Sequence, residues 1–202
     1  MQFKLCGVQV RVGFLFAFLL CCLLTVVEDR FVRMTVLFSL LHECGHLACD
    51  FAFGCKPRAV RFGLFGMTIV RKEDTRLSYR QEICSALAGP AVNLLLFWLL
   101  LAGCIVLRRD GLLTAAAVNF CIFAFNAMPV FSLDGGRALE AFLCARVEEA
   151  PKRIAIEKAV SLCCIILLMG FGFFVLLQSG GNFTLLLLCG YLIVALFCKC
   201  GE

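Results

Sequence analysis

The chain has 202 residues, of which 62% are apolar and 16% charged, against roughly 45–50% and about 25% in an average soluble domain. A core of this size cannot hide so much apolar surface from water, so part of it must face lipid; a soluble enzyme, a disordered chain and a nucleic-acid binder are excluded. The formal charge of +5 is then a signal of membrane topology and not the footprint of a nucleic acid.

A membrane-spanning helix takes about 20 mostly apolar residues. Six segments qualify or nearly do: residues 12–27, 31–53, 83–107, 112–131, 154–177 and 183–197. The first follows Lys4 and Arg11 as a signal peptide would, but no small-residue cleavage site follows it, so it is read as a retained span. Residues 58–71 (RAVRFGLFGMTIVR) are too short to span and rich in β-branched and aromatic residues, with Gly63 and Gly66 near the middle. They predict a short β-hairpin or edge strand near the cytoplasmic face, an interfacial loop being the alternative. The expected class is a membrane all-α protein of six transmembrane helices forming one polytopic domain over residues 1–202.

Basic residues orient it. With the N-terminus in the cytoplasm and six crossings, fifteen of the 19 Lys and Arg fall on the cytoplasmic side, and only Arg30, Arg33, Arg108 and Arg109 remain outside. That asymmetry favours both termini in the cytoplasm. The 15 cysteines do not imply a disulfide scaffold, because most sit inside apolar runs, where cysteine acts as a small hydrophobe.

Ionisable residues inside the apolar runs stand out. The second segment carries His42, Glu43, His46 and Asp50. An acidic residue at the centre of a span costs about 2.5–3.5 kcal/mol, so such residues are functional candidates by default. His42-Glu43-Cys44-Gly45-His46 is the H-E-x-x-H pattern. On a helix it sets two imidazoles on one face, one turn apart, where both can bind one Zn²⁺. The intervening Glu43 is placed to act as general base on a metal-activated water. Asp50 continues the same stripe and is read as marking the cytoplasmic helix end rather than as a support for the site. His42 and His46 are the only histidines, so a third ligand must be a carboxylate or a thiolate. Asp134 is the best candidate: it follows Pro129, which breaks or kinks a helix, and precedes Gly135 and Gly136, which permit backbone geometry closed to other residues. Irregular backbone at membrane depth is tolerated only where it packs in protein or lines a cavity. Asn126, eight residues earlier, could donate to a developing oxyanion. Early in the third segment, Ala88-Gly89-Pro90 permits close helix packing, and Asn93 needs a polar partner, a role more structural than catalytic on its own.

At these residues the chain resembles the site-2 protease family of intramembrane zinc metalloproteases. His42-Glu43-Cys44-Gly45-His46 matches the family's histidine motif, Asn126, Pro129 and Asp134-Gly135-Gly136 match its second motif, and Ala88-Gly89-Pro90 with Asn93 resembles its glycine–proline–asparagine element. The resemblance covers roughly residues 34–147, with the protease core at about 31–147. The layout without a PDZ insertion is similar to the branch that processes a sporulation sigma-factor precursor. The resemblance implies zinc bound by His42, His46 and Asp134, water activated by Glu43, and a scissile carbonyl held with help from Asn126. It also implies that the stretch around Gly63 and Gly66 presents substrate as an added strand, with Asn93 near the substrate. The implied substrate is a single-span or membrane-associated protein in the lipid bilayer. The chain stops at Glu202, so the nucleotide-sensing domain of some relatives is not expected, and Cys44 is an unusual filler in the histidine motif. Two other readings use the same residues: a membrane metal transporter or sensor, and an inactive scaffold of the family.

Overall fold

The computed structural model describes residues 2–5, 8–27, 29–55, 57–63, 66–71 and 77–198. Val8-Gln9-Val10-Arg11-Val12 alternates apolar and polar residues, the period of a strand. The chain accordingly opens with an antiparallel pair, β1 (Gln2–Leu5) and β2 (Val8–Val12), in register from Gln2↔Arg11 to Leu5↔Val8. Lys4 and Arg11 therefore lie on strands and do more than flank a first span. The helix that follows, α1 (Phe14–Val26), has 13 residues and is about 20 Å long, short of the ~30 Å hydrocarbon core. In α2 (Arg30–Ala52) the N-cap Asp29 accepts the Phe31 N–H, satisfying one orphan donor of the first turn.

The α1–α2 pair forms the long crossover that parallel strands require. It joins β2 to β3 (Pro57–Gly63), which pair in parallel from Gln9↔Ala59 to Val12↔Phe62. β3 in turn pairs antiparallel with β4 (Gly66–Arg71), giving the order β1-β2-β3-β4. The hairpin expected over 58–71 is thus present, as half of a four-stranded sheet in which β4 is an outer strand; positions 64–65 lie outside the described residues. Connectivity puts this sheet at the end of the bundle where α1 begins, α2 ends and α3 begins.

A reciprocal capping box between Ser78 and Gln81 opens α3 (Tyr79–Leu107), which continues through Pro90 for 29 residues, about 43 Å. α4 (Asp110–Asn126) stops three residues before Pro129, short of the limit of 131 expected from hydropathy, because proline cannot continue the helical ladder. A further helix, α5 (Asp134–Arg146), begins at Asp134 itself, where the sequence suggested only a break. α6 (Ala150–Ser179) carries proline in its first turn and ends at Gly180, whose φ of 68° is left-handed. α7 (Thr184–Cys198) closes the described chain. α3 packs against α2, α4 and α5, while α6 bridges α5 and α7.

Helices α1, α2, α3, α4, α6 and α7 coincide with the six apolar segments. Of these, α3 and α6 are long and apolar enough to cross a membrane by themselves, and α4 and α7 are shorter apolar helices. Trp98, Leu99, Ile105 and Val106 on α3 and Ile166, Leu167 and Phe174 on α6 face outward, whereas His42, His46, Asp50, Ser85, Asn93, Asn119 and Ser161 are buried. Apolar outside and polar inside is the distribution expected where the outer solvent is hydrocarbon and every internal polar group must find a partner.

Candidate metal centre

One turn apart on α2, His42 and His46 are buried, with ring centroids 4.8 Å apart and edge-to-face. Their Nε2 atoms stand 3.2 Å from each other, and Asp134 Oδ2 lies 2.9 Å from the first and 3.2 Å from the second. The three residues singled out as ligand candidates are brought together from α2 and the start of α5, as one group able to hold a metal ion.

Partners on the far sides of the rings decide what those Nε2 atoms offer. His46 Nδ1 is 2.7 Å from the Ser85 carbonyl oxygen, which can only accept, so Nδ1 carries a hydrogen and the neutral imidazole keeps its lone pair on Nε2. His42 Nδ1 is 2.6 Å from Asn93 Oδ1 and donates to it in the same way. With both imidazoles neutral, two lone pairs and a carboxylate oxygen converge, an arrangement that suits a cation. Two imidazole nitrogens and one carboxylate oxygen are zinc ligands, and three protein ligands leave the fourth position that a catalytic zinc keeps open. The donor set fits zinc.

Room for the cluster comes from glycine. A Cβ on Gly89 would stand 2.7 Å from His42 Nε2 and closer still to His46 Nε2, and one on Gly45 would meet Val92 Cγ2 at 2.8 Å and the Ala88 carbonyl oxygen at 2.9 Å. These two glycines let α2 and α3 approach closely.

Asp134 is positioned by the break after α4. Within it the Leu133 N–H bonds the Val130 carbonyl at 2.8 Å, and the Arg137 N–H bonds that of Leu133 at 3.1 Å, starting α5. A Cβ on Gly135 would run into the Ala127 and Met128 carbonyls, and one on Gly136 into that of Val130. Neither glycine has positive φ, so the expectation of an unusual backbone is corrected: they are needed for space. From α6, the Ser161 hydroxyl accepts the Phe131 N–H at 3.1 Å and reaches the Pro129 carbonyl at 3.4 Å. Val130 and Leu133 are packed against Ile165, Cys189, Leu192 and Leu196 of α6 and α7. The Arg137 guanidinium is 3.4 Å from Asp134 Oδ1, the oxygen turned away from the histidines.

Glu43 follows His42 on α2 and is half-buried. Asn126 is the last residue of α4 and donates to the Ile122 carbonyl at 2.9 Å. Gly63 and Gly66 are paired across β3 and β4. Asn93 is fully buried, with Oδ1 engaged by His42 and Nδ2 by Asn119 and the Phe38 carbonyl. Its side chain therefore supports the histidine. Asp50 departs from its reading as a helix-end marker. It is fully buried and accepts from the Ser85 hydroxyl at 2.5 Å, fixing the residue whose carbonyl holds His46. Ser85, Asn119 and Ser161 escaped the sequence analysis. Their one signal was a polar residue inside an apolar run, which implies a partner without naming it.

No family model matches the chain. It is 28% identical over 138 residues to stage IV sporulation protein FB of Bacillus subtilis, covering 66% of this chain and 46% of that one. It is 26% identical over 185 residues to a zinc metalloprotease of Methanocaldococcus jannaschii, covering 83% of this chain and 52% of the other. The chain thus spans about half the length of the curated relatives it matches. A solved site-2 protease from Methanocaldococcus jannaschii superposes over 97% of this chain and 93% of its own, with a TM-score of 0.62 and 22% identity. The chain has the fold of that site-2 protease. The cluster lies where α2, α3 and the α4–α5 break meet. His46 and His42 lie about 9 and 15 Å along α2 from its sheet-side end.

Proposed function

We propose that the protein is an intramembrane zinc metalloprotease that hydrolyses a peptide bond in or near a transmembrane segment of a membrane protein. The observation that carries this reading is the convergence of His42 Nε2, His46 Nε2 and Asp134 Oδ2 inside a bundle with an apolar exterior. His42, His46 and Asp134 hold the metal. Zinc supplies Lewis acidity to the scissile carbonyl and to the attacking water. Glu43 takes a proton from that water and returns it to the leaving amine. Asn126 steadies the carbonyl oxygen as charge develops on it.

The protease core is residues 31–147. The chain crosses the bilayer six times with both termini in the cytoplasm, and the sheet lies on the cytoplasmic side. A helical substrate hides its backbone in hydrogen bonds and must unwind before attack. The outer strand β4, next to Gly66, holds it extended by strand addition. The substrate is a single-span or membrane-associated protein.

Glu43→Gln tests the assignment. The variant retains zinc at the wild-type ratio by metal analysis and loses about 10²–10⁴-fold in cleavage of a co-expressed single-span substrate, the range for removal of a general base. Undiminished cleavage overturns it.

A further inference from the structure

A chain of buried amides runs from the histidine cluster across three helices. His42 on α2 donates through Nδ1 to Asn93 Oδ1 on α3 at 2.6 Å. Asn93 Nδ2 donates to Asn119 Oδ1 on α4 at 2.9 Å and to the Phe38 carbonyl at 3.4 Å. Asn119 Nδ2 donates to the Ala115 carbonyl, one turn back on its own helix, at 2.9 Å. Asn93 and Asn119 both have zero exposure, so water cannot substitute for any link.

The direction of this chain is set at its far end. A main-chain carbonyl only accepts, so Asn119 must turn its NH₂ toward Ala115 and its oxygen toward Asn93. Asn93 must then turn its NH₂ toward Asn119 and its oxygen toward His42. Only with that oxygen facing it does a neutral His42 carry its hydrogen on Nδ1 and keep Nε2 bare. Were the Asn93 amide reversed, its NH₂ would face Nδ1, the hydrogen would move to Nε2, and His42 would present a donor where a ligand is required. Against that reversal stand the 2.9 Å bond to Asn119 and the longer one to Phe38.

We infer that Asn119 is a positioning residue of the metal site, which fixes the Asn93 amide and through it the tautomer of His42. It touches no ligand atom, and it acts over two hydrogen bonds from a helix that contributes no ligand to the cluster. Partners behind a ligating histidine typically change metal affinity about 10–100-fold when removed; one link further out, the low end applies. This inference rests on the zinc reading of the cluster.

The test measures zinc affinity by chelator competition on the detergent-solubilised full chain, without reference to cleavage. Wild type must bind zinc first; its failure to do so overturns the reading of the site itself. Asn119→Leu, close in volume and unable to accept, is expected to weaken zinc about tenfold, and Asn119→Ala carries the same expectation if the leucine variant folds poorly. The deciding variant is Asn93→Asp, whose side chain presents acceptors whichever way it turns and so needs no second residue to orient it. In that background Asn119→Leu is expected to cost less than about twofold. A residue that merely packs would cost the same in both backgrounds. Wild-type affinity in the single variant, or an equal loss in both backgrounds, overturns the inference.

Discussion

Gly89 shows how little room surrounds the ligand atoms. Its missing side chain leaves the space into which both Nε2 atoms point, and it lies on the helix that also supplies Ser85 and Asn93 to the opposite edges of the two rings. Gly89→Ala is expected to displace the imidazoles, because a Cβ there has no allowed position while they stay. Zinc affinity should fall by more than about tenfold, the scale seen when ligand orientation is lost. The fold should lose only about 1–3 kcal/mol, as for other overpacked interiors, which thermal unfolding of the metal-free protein would show. Asp134→Asn separates charge from shape: the amide keeps the volume but gives up the anionic oxygen that faces both rings at 2.9 and 3.2 Å. Metal analysis should find that variant largely stripped of zinc under a chelator concentration that leaves wild type loaded. Retention of zinc there would remove Asp134 from the ligand set.

At the scale of elements the decisive feature is the α4–α5 break. Asp134 reaches the histidines because α4 stops at Asn126 and α5 restarts at Asp134, the interval being folded onto the start of α5 through Gly135 and Gly136. Ser161 of α6 secures the same interval by bonding Phe131 and Pro129. Ser161→Ala removes that part-buried hydrogen bond to the Phe131 N–H, at a cost of about 0.5–1.5 kcal/mol. Thermal unfolding should register the loss, with zinc affinity declining alongside as the Asp134 anchor loosens; an unchanged melting temperature would make the bond incidental. Much of this region is legible in the sequence. Pro129, the two glycines and the acidic residue after them are local chemistry, as is the one-turn spacing of His42 and His46. What local chemistry does not specify is pairing across the bundle. Ser161, Asn119 and Asp50 announce only that they need partners. The N-terminal strands show a two-residue alternation at Val8–Val12, but their place beside β3 depends on a contact made across the whole α1–α2 crossover. The basic residues on those strands also read plausibly as the flank of a span, and hydropathy alone ran α4 on to residue 131, past the break that Pro129 imposes.

For the whole molecule, the metal cluster lies in the half of α2 nearer the sheet, and this constrains how the protein sits in a bilayer. β2 feeds α1, α2 returns to β3, and β4 feeds α3, so the sheet adjoins the start of α1, the end of α2 and the start of α3. The cluster lies only about 9–15 Å along α2 from its sheet-side end, roughly halfway into a hydrocarbon core of about 30 Å at its deeper limit. A strand-paired substrate could thus be held at the sheet and enter the cluster without crossing the membrane. The side in question is marked by charge: fifteen of the 19 Lys and Arg belong to it under a six-span topology, and the opposite side keeps Arg30, Arg33, Arg108 and Arg109. In the topology proposed above, the positive-inside rule places the richer side in the cytoplasm. Reporter fusions read this directly. A fusion active only in the cytoplasm should work after Glu202 and before Met1 and fail in the short α3–α4 connection at Arg109, while a reporter active only outside should give the reverse. Introducing lysines beside Arg108 and Arg109 should erode that pattern, because it narrows the charge difference that sets orientation, with little effect on zinc binding in protein that has inserted correctly. If the fusion at Arg109 reports from the cytoplasm in the unaltered chain, the topology is wrong. The sheet-side entry of substrate would then be wrong with it, whatever the cluster does chemically.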